Sequence, residues 1–471
     1  MLEETIPKKQ RALVMQGGGA LGAYEAGVFE AIYEKIKRDD PQNWKTNLFD
    51  IVAGASIGAI NAVVLVDQFL RNGKSWENSP DALAKLWSGW KNETITEWNR
   101  DPFLRWYFET YWNFLNRINP ALARGEAARR YWSWAQLANT PFLGANNLSW
   151  TLPQLDYKFL DPAPINSLWL GFDYSPLEAF LGERVEFPIK TSFDEGKPRL
   201  LLVGVDVQDC TEAVTFDSYA KADGTWYSEY SGVSQDYKVS YDGIGLQELL
   251  ASCLFPYSIY HTTMIDEKSG KERTFWDGAF LSNTPLRELL HQHRKYWLDY
   301  FKLNKIDYDR GGEKGKPKVP DLDVYIVNLY PSTESEVPTG LDGIRDREID
   351  IKFHDRTKYD EQIAHVISDY IDLIEKLIKL AKDKKASQQE IVAVLDQENP
   401  GMKSMKREGS RRKTYREILE GRFKVKVVRI DRSDDKYTIF GKHADFSATT
   451  IEKLIDSGRK DAIKILGVDT R

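Results

Sequence analysis

The chain has 471 residues, 42% of them hydrophobic and 29% charged, with a net charge of −6. That balance provides for a sizeable core and excludes wholesale disorder, and the mild acidic excess argues against general nucleic-acid binding. Two cysteines, Cys210 and Cys253, exclude a disulfide framework, and their spacing matches no zinc site, so neither a structural metal nor a cofactor is implied.

Met1–Arg11 is charged and lacks the apolar stretch and small-residue cleavage site of a signal peptide. The longest apolar run, Ile51–Val66, is broken by glycines and Asn61 and falls short of the roughly 20 apolar residues that span a bilayer. The expectation is a cytoplasmic protein whose contact with membranes, if any, is peripheral and transient.

Arg11–Gln16 reads as a buried strand, three glycines follow, and an amphipathic helix runs from Gly22 to about Lys37. The plan repeats: Phe49–Ala53 is a β-branched, apolar strand, Gly54–Gly58 a tight turn, and Ala59 opens a second helix. Two strand-turn-helix units in succession imply a βαβ crossover and a parallel sheet. Composition then shifts, with nine of the fourteen tryptophans between Trp87 and Trp169, which marks residues 74–190 as an insertion. Within it, Phe103–Ile118 is an apolar helix with a polar stripe of Arg105, Glu109, Asn113 and Arg117. Two readings stand: a cap packed on the protein, or a lid whose aromatics, Trp106 and Trp112 among them, meet lipid.

Strand patterns return at Leu200–Val207, Glu212–Phe216 and Asp321–Leu329, with a helix around Leu246–Cys253. Asp309–Pro320 is a polar linker, Glu361–Lys382 a strongly periodic helix, and Lys403–Arg416 a basic stretch that reads as a solvated surface or loop. Phe423–Ile430 and Asp445–Leu466 supply one more strand and helix to complete a sheet edge. The expected division is a catalytic domain over 8–300, including the 74–190 insertion, and a C-terminal region over 301–471.

Three motifs carry chemistry. Gly54-Ala55-Ser56-Ile57-Gly58 is a G-x-S-x-G pattern between strand and helix; a nucleophile elbow needs small residues flanking a serine in a strained conformation, with the next helix directing amides at a developing oxyanion. The spelling alone is weak, and the alternative is a packing turn with an idle serine. Gly17, Gly18, Gly19 and Gly22 also satisfy G-x-G-x-x-G. A dinucleotide-binding loop would require an acidic residue at the end of the next strand; Glu34, Asp39 and Asp40 precede that strand, whose end is the serine turn. An oxyanion hole beside Ser56 is the competing use. Trp276-Asp277-Gly278-Ala279 follows a strand-like stretch and precedes the turn Ser282-Asn283-Thr284-Pro285 that opens a helix.

In that order, the three blocks resemble the patatin-like phospholipases. The resemblance implies a three-layer αβα sandwich with a mainly parallel sheet, carrying here a Trp-rich helical insertion and a C-terminal helical extension. It implies Ser56 as nucleophile, Asp277 as proton acceptor, and Gly17, Gly18 and Gly19 as the oxyanion loop, with Gly22, Gly54, Gly58 and Gly278 as motif glycines. Ala251–Pro256 is similar to a family segment that packs near the active site. Leu21 stands where many members carry a basic residue, so that positive charge is missing from the loop. The implied activity is hydrolysis of lipid carboxylic esters. Two alternatives remain: a Ser-His-Asp esterase using one of His261, His291, His293, His354, His365 or His443, and a non-catalytic nucleotide-binding or scaffold protein. An elbow after only one earlier strand argues against the usual α/β-hydrolase. Oligomeric state is not readable.

Overall fold

The computed structural model describes residues 6–98, 174–221, 223–230, 239–256, 261–309, 316–334, 337–338, 341–384, 387–397, 414–415, 421–433, 442–444, 446 and 448–467. The expected helix at Phe103–Ile118, with Trp106 and Trp112, lies outside them, as does Lys403–Arg416 apart from Thr414 and Tyr415.

In chain order the elements are β1 (Lys9–Met15), α1 (Gly22–Asp39), β2 (Ile51–Gly54), α2 (Ile57–Arg71), α3 (Ser79–Trp98) and α4 (Ser175–Gly182). Then come β3 (Arg199–Asp206), β4 (Val214–Asp217), β5 (Trp226–Tyr227), β6 (Glu229–Tyr230), β7 (Ser240–Tyr241), α5 (Leu246–Cys253), β8 (Thr262–Ile265), β9 (Glu272–Asp277) and α6 (Leu286–Leu303). The last group is β10 (Asp321–Asn328), α7 (Leu341–Phe353), α8 (Lys358–Asp383), α9 (Gln388–Leu395), β11 (Val425–Asp431) and α10 (Ala448–Leu466).

The central sheet runs β11-β10-β1-β2-β3-β4-β6, its first five strands parallel to one another and the rest antiparallel. Strand alternation builds two apolar layers. Leu13, Met15, Val52, Leu200 and Leu202 join the core formed with α1, α2 and α3, while Ala12, Val14, Ile51, Ala53 and Leu201 join Leu286 and Leu289 of α6 on the other side. The fold is an α/β sandwich with a mixed, mostly parallel sheet covered by helices on both faces.

Both strands after residue 300 enter this sheet on the β1 side: β10 pairs with β1 over its whole length, and β11 pairs with β10. The chain then returns as α10, which lies along α1. A Cβ on Gly27 would sit 1.8 Å from the Ile455 carbonyl oxygen, and one on Gly458 2.1 Å from that of Tyr24, so glycines on both helices permit the backbones to touch. The periodic helix expected over Glu361–Lys382 is α8. Ile371 is buried, whereas Ile363, Tyr370 and Leu377 are exposed, so its apolar residues do not all serve the core.

Strand β9 brings a second strand end to the carboxyl end of β2. On β3, β2 occupies one edge as far as the Gly54–Leu202 pair, and β4 occupies the other through the Val214–Gly204 pair. Asp277 pairs with Gly204 as well, so β9 takes up the edge that β2 has just vacated, running in the opposite direction. The carboxyl ends of β2 and β9 therefore point at each other across a two-residue gap, where Ser56 stands.

Candidate active site

Ser56 follows the end of β2 and caps α2 with φ 54° and ψ −126°, a conformation a non-glycine residue holds only when its surroundings impose it. Several contacts do so. Its amide donates to the Ser252 carbonyl at 3.1 Å, and its carbonyl accepts from the Cys253 thiol at 3.2 Å. The flanking glycines are required by close approach: a Cβ on Gly54 would lie 2.3 Å from the Gly58 carbonyl oxygen, and one on Gly58 2.4 Å from that of Met15. The turn is thus compressed between the first turn of α2 and the end of β1.

Asp277 ends β9. Its amide donates to the Leu254 carbonyl at 2.8 Å, and its Oδ1 accepts from the Ala279 amide at 2.8 Å, which leaves Oδ2 directed at Ser56. The Ser56 hydroxyl donates to that oxygen at 2.5 Å. Asp277 is completely buried, and Ser56 is 6% exposed. Burial penalises the carboxylate and raises the Asp277 carboxyl to about 7, against the opposing pull of its bonds from Ser56 and Ala279. Segment Ala251–Pro256 thus holds both residues by their backbones, through Ser252 and Cys253 on one side and Leu254 on the other.

The glycine loop lies against the serine. The position a Gly17 Cβ would take is 2.6 Å from Asn283 Oδ1, 2.8 Å from Ser56 Cβ and 3.0 Å from Ala279 Cβ. The Gly17 amide donates to the Asn283 carbonyl at 3.3 Å, so among the three loop amides it is already engaged, and those of Gly18 and Gly19 make no such bond among the described residues. Gly18 packs on Leu329 and Tyr330; Gly19, at φ 56°, packs on the His443 backbone. Gly22 abuts Ile57, and Gly278 abuts the Val203 carbonyl.

Two residues that sequence reasoning passed over hold this loop. Gln16 Nε2 donates to Thr284 Oγ1 and to the Phe353 carbonyl, both at 3.0 Å, while its Oε1 accepts from the Leu329 amide at 2.6 Å. Asn283 Nδ2 donates to the same Phe353 carbonyl at 2.8 Å. Together they fasten the loop to the end of β10, to the turn after Asp277 and to the end of α7. The only sequence signal was a polar side chain at the end of an apolar strand.

Phe280 lies beside this turn, with ring centroids 5.5 Å from Phe255 and 6.0 Å from Phe353, and Phe353 is 5.7 Å from Tyr330. An aromatic wall thus extends from the Asp277 turn. No histidine bonds to Ser56 or Asp277 among the described residues. His293 is buried in α6 with its Nε2 on the Pro320 carbonyl, His354 faces the Ile351 carbonyl, and His365 pairs with Glu361. His443 is the one whose backbone reaches the glycine loop, and burial lowers its imidazole to about 4.

The family model for patatin-like phospholipases matches residues 13–290. The chain belongs to this family. The match runs from β1 into α6 and takes in the glycine loop, the serine turn and the Asp-Gly turn. A search of curated proteins returned no match. At the level of the family, the match supports a lipid acyl hydrolase. No helix among the described residues is long and apolar enough to cross a membrane.

Proposed function

We propose that the protein cleaves carboxylic ester bonds of lipids, in the manner of a phospholipase A or general lipid acyl hydrolase, through a Ser56–Asp277 dyad. The observation that carries this reading is the 2.5 Å hydrogen bond from the Ser56 hydroxyl to a fully buried Asp277 carboxylate.

A serine hydroxyl is a weak nucleophile until a base takes its proton. In the proposed reaction Ser56 Oγ attacks the ester carbonyl as its proton passes to Asp277 Oδ2. Negative charge on the former carbonyl oxygen rests on the Gly18 and Gly19 amides, with the N-terminal end of α2 adding its dipole. The tetrahedral intermediate collapses, the ester C–O bond breaks, and the leaving alkoxide takes the proton from Asp277. Water then gives a proton to Asp277 and adds to the acyl-enzyme; in the second collapse the bond from the acyl carbon to Ser56 Oγ breaks, Oγ takes the proton back from Asp277, and the fatty acid is released. An ordinary aspartate is too weak a base for this step; burial that raises the carboxyl to about 7 brings it to the range where a general base is effective near neutral pH. The aromatic wall of Phe255, Phe280 and Phe353 suits an acyl chain. Such a substrate resides in a bilayer or micelle, so the reading includes peripheral membrane contact by a cytoplasmic protein; liposome co-sedimentation unchanged on replacing Trp106 and Trp112 counts against contact through the insertion.

The test is hydrolysis of p-nitrophenyl esters of graded acyl length and of phospholipid vesicles, with fluorophosphonate labelling located by mass spectrometry. Ser56→Ala and Asp277→Asn are each expected to lower kcat by about 10³-fold or more, and the label to sit on Ser56. Loss of activity in His443→Ala or His261→Ala with full activity in Asp277→Asn would overturn the dyad in favour of a triad.

A further inference from the structure

Helix α8 spans Lys358–Asp383, 26 residues, and buries little of itself. On its outer side Ile363, Val366, Tyr370, Leu373, Leu377 and Leu380 are each 40–63% exposed. Their spacing is 3, 4, 3, 4, 3, which places Ile363, Tyr370 and Leu377 at the a positions of a heptad and Val366, Leu373 and Leu380 at d. An a/d stripe is the seam by which one helix packs on another; Ile374, 37% exposed at e, borders it. Ile371, at a heptad position outside this stripe, is buried, and the helix is in contact with β11. The seam is therefore a second face, and nothing among the described residues covers it.

We propose that this seam is the interface of a homodimer, in which α8 packs antiparallel on α8 of a second copy about a two-fold axis near Ile371. Antiparallel seams match a residues with d residues of the partner helix, and here the match closes on itself. Ile363 meets the other copy's Leu380, Val366 meets Leu377, and Tyr370 meets Leu373; the symmetry repeats each contact, so all six a and d side chains are used. The flanking charges agree with this direction. Asp369 and Lys376 occupy g positions, and the antiparallel arrangement sets Asp369 of one helix beside Lys376 of the other, twice per dimer. A parallel arrangement stacks Tyr370 on Tyr370 and forfeits this pairing. The helix also carries six acidic against four basic residues, so it lacks the cationic polar face with which amphipathic helices adhere to anionic lipid.

Sedimentation velocity of the full chain over a range up to about 100 μM tests this. A dimer is expected for the wild type, and Leu373→Glu is expected to weaken it on the order of 100-fold, because a carboxylate is buried at the centre of the seam. Asp369→Lys and Lys376→Asp are each expected to weaken it on the order of tenfold, and the double exchange to restore it. In a Cys210→Ser background, Tyr370→Cys with Leu373→Cys is expected to cross-link between chains, while Tyr370→Cys alone does not. Circular dichroism and fluorophosphonate labelling at Ser56 report that each variant is folded. A monomeric wild type, a dimer indifferent to Leu373→Glu, or cross-linking by Tyr370→Cys alone overturns the proposal. So does a monomer that co-sediments with phosphatidylglycerol vesicles and loses that binding in Leu373→Glu, which assigns the seam to lipid.

Discussion

At the scale of single residues, the site concentrates two costly features, a serine with positive φ and a buried carboxylate that pairs with no cation among the described residues. Each is tolerated because neighbouring backbone fixes it: Ser252 and Cys253 grip Ser56, while Leu254 and Ala279 grip Asp277. The buried carboxylate makes a definite prediction about pH. Because the folded value, about 7, lies above the ordinary 3.8, the folded protein retains a proton between those values that the unfolded chain has released. Stability contributed by this site thus falls as pH rises through that window, and above about pH 7 the charged carboxylate costs on the order of a few kcal/mol. Asp277→Asn is expected to raise Tm at pH 8, with the gain vanishing toward pH 4, as thermal unfolding at a series of pH values reads directly. In the wild type, kcat/KM is expected to rise about tenfold per pH unit below 7 and level off above it, since the base acts only when deprotonated. A lower Tm for Asp277→Asn at pH 8 would mean that the carboxylate is held by contacts worth more than its desolvation.

At the scale of elements, the meeting of β2 and β9 on one edge of β3 brings Ser56 to Asp277, and α10 packs closely on α1. Helix α1 begins at that loop, and α10 follows the turn Lys442–Ala444 that packs on Gly19. The turn is itself anchored, with Lys442 buried between Asp346 and Asp350 of α7. Gly27→Leu places a side chain where the Ile455 carbonyl already stands, and is expected to cost about 3 kcal/mol or more by prising the helices apart. Urea unfolding measures the loss, and a midpoint unchanged from wild type would show that the two helices separate without penalty.

At the scale of the whole molecule, the segment beyond residue 300 is built into the sheet. β10 is the neighbour of β1 along its full length, and without it β1 presents an apolar open edge while α1 loses its companion helix. A chain ending at Leu303 keeps the matched residues 13–290. It is nonetheless expected to be insoluble, or soluble and without esterase activity, on expression beside the full chain. A soluble, fully active product would show that β10, β11 and α10 are dispensable. The expected division into a catalytic domain over 8–300 and a C-terminal region over 301–471 is a proposal that this comparison tests.

What the sequence determined by itself was local. Short apolar runs and strand patterns placed β1, β2, β3 and β10 within a residue or two, and the helix expected around Leu246–Cys253 is α5. Small residues around Ser56 announced a strained turn because no larger side chain fits between the start of α2 and the end of β1. Tertiary structure decided what joins across the chain. Ser56 and Asp277 are 221 residues apart, and nothing in either neighbourhood specifies that β9 should fill the edge where β2 ends. The ties made by Gln16 and Asn283, and the engagement of the Gly17 amide, depend on that same meeting of strand ends. Helix α8 shows the limit from the other side: periodicity revealed its apolar residues, but only the folded chain shows that Ile371 is buried while Ile363, Tyr370 and Leu377 are exposed. Periodicity is a property of a segment, whereas burial is a property of what the segment lies against.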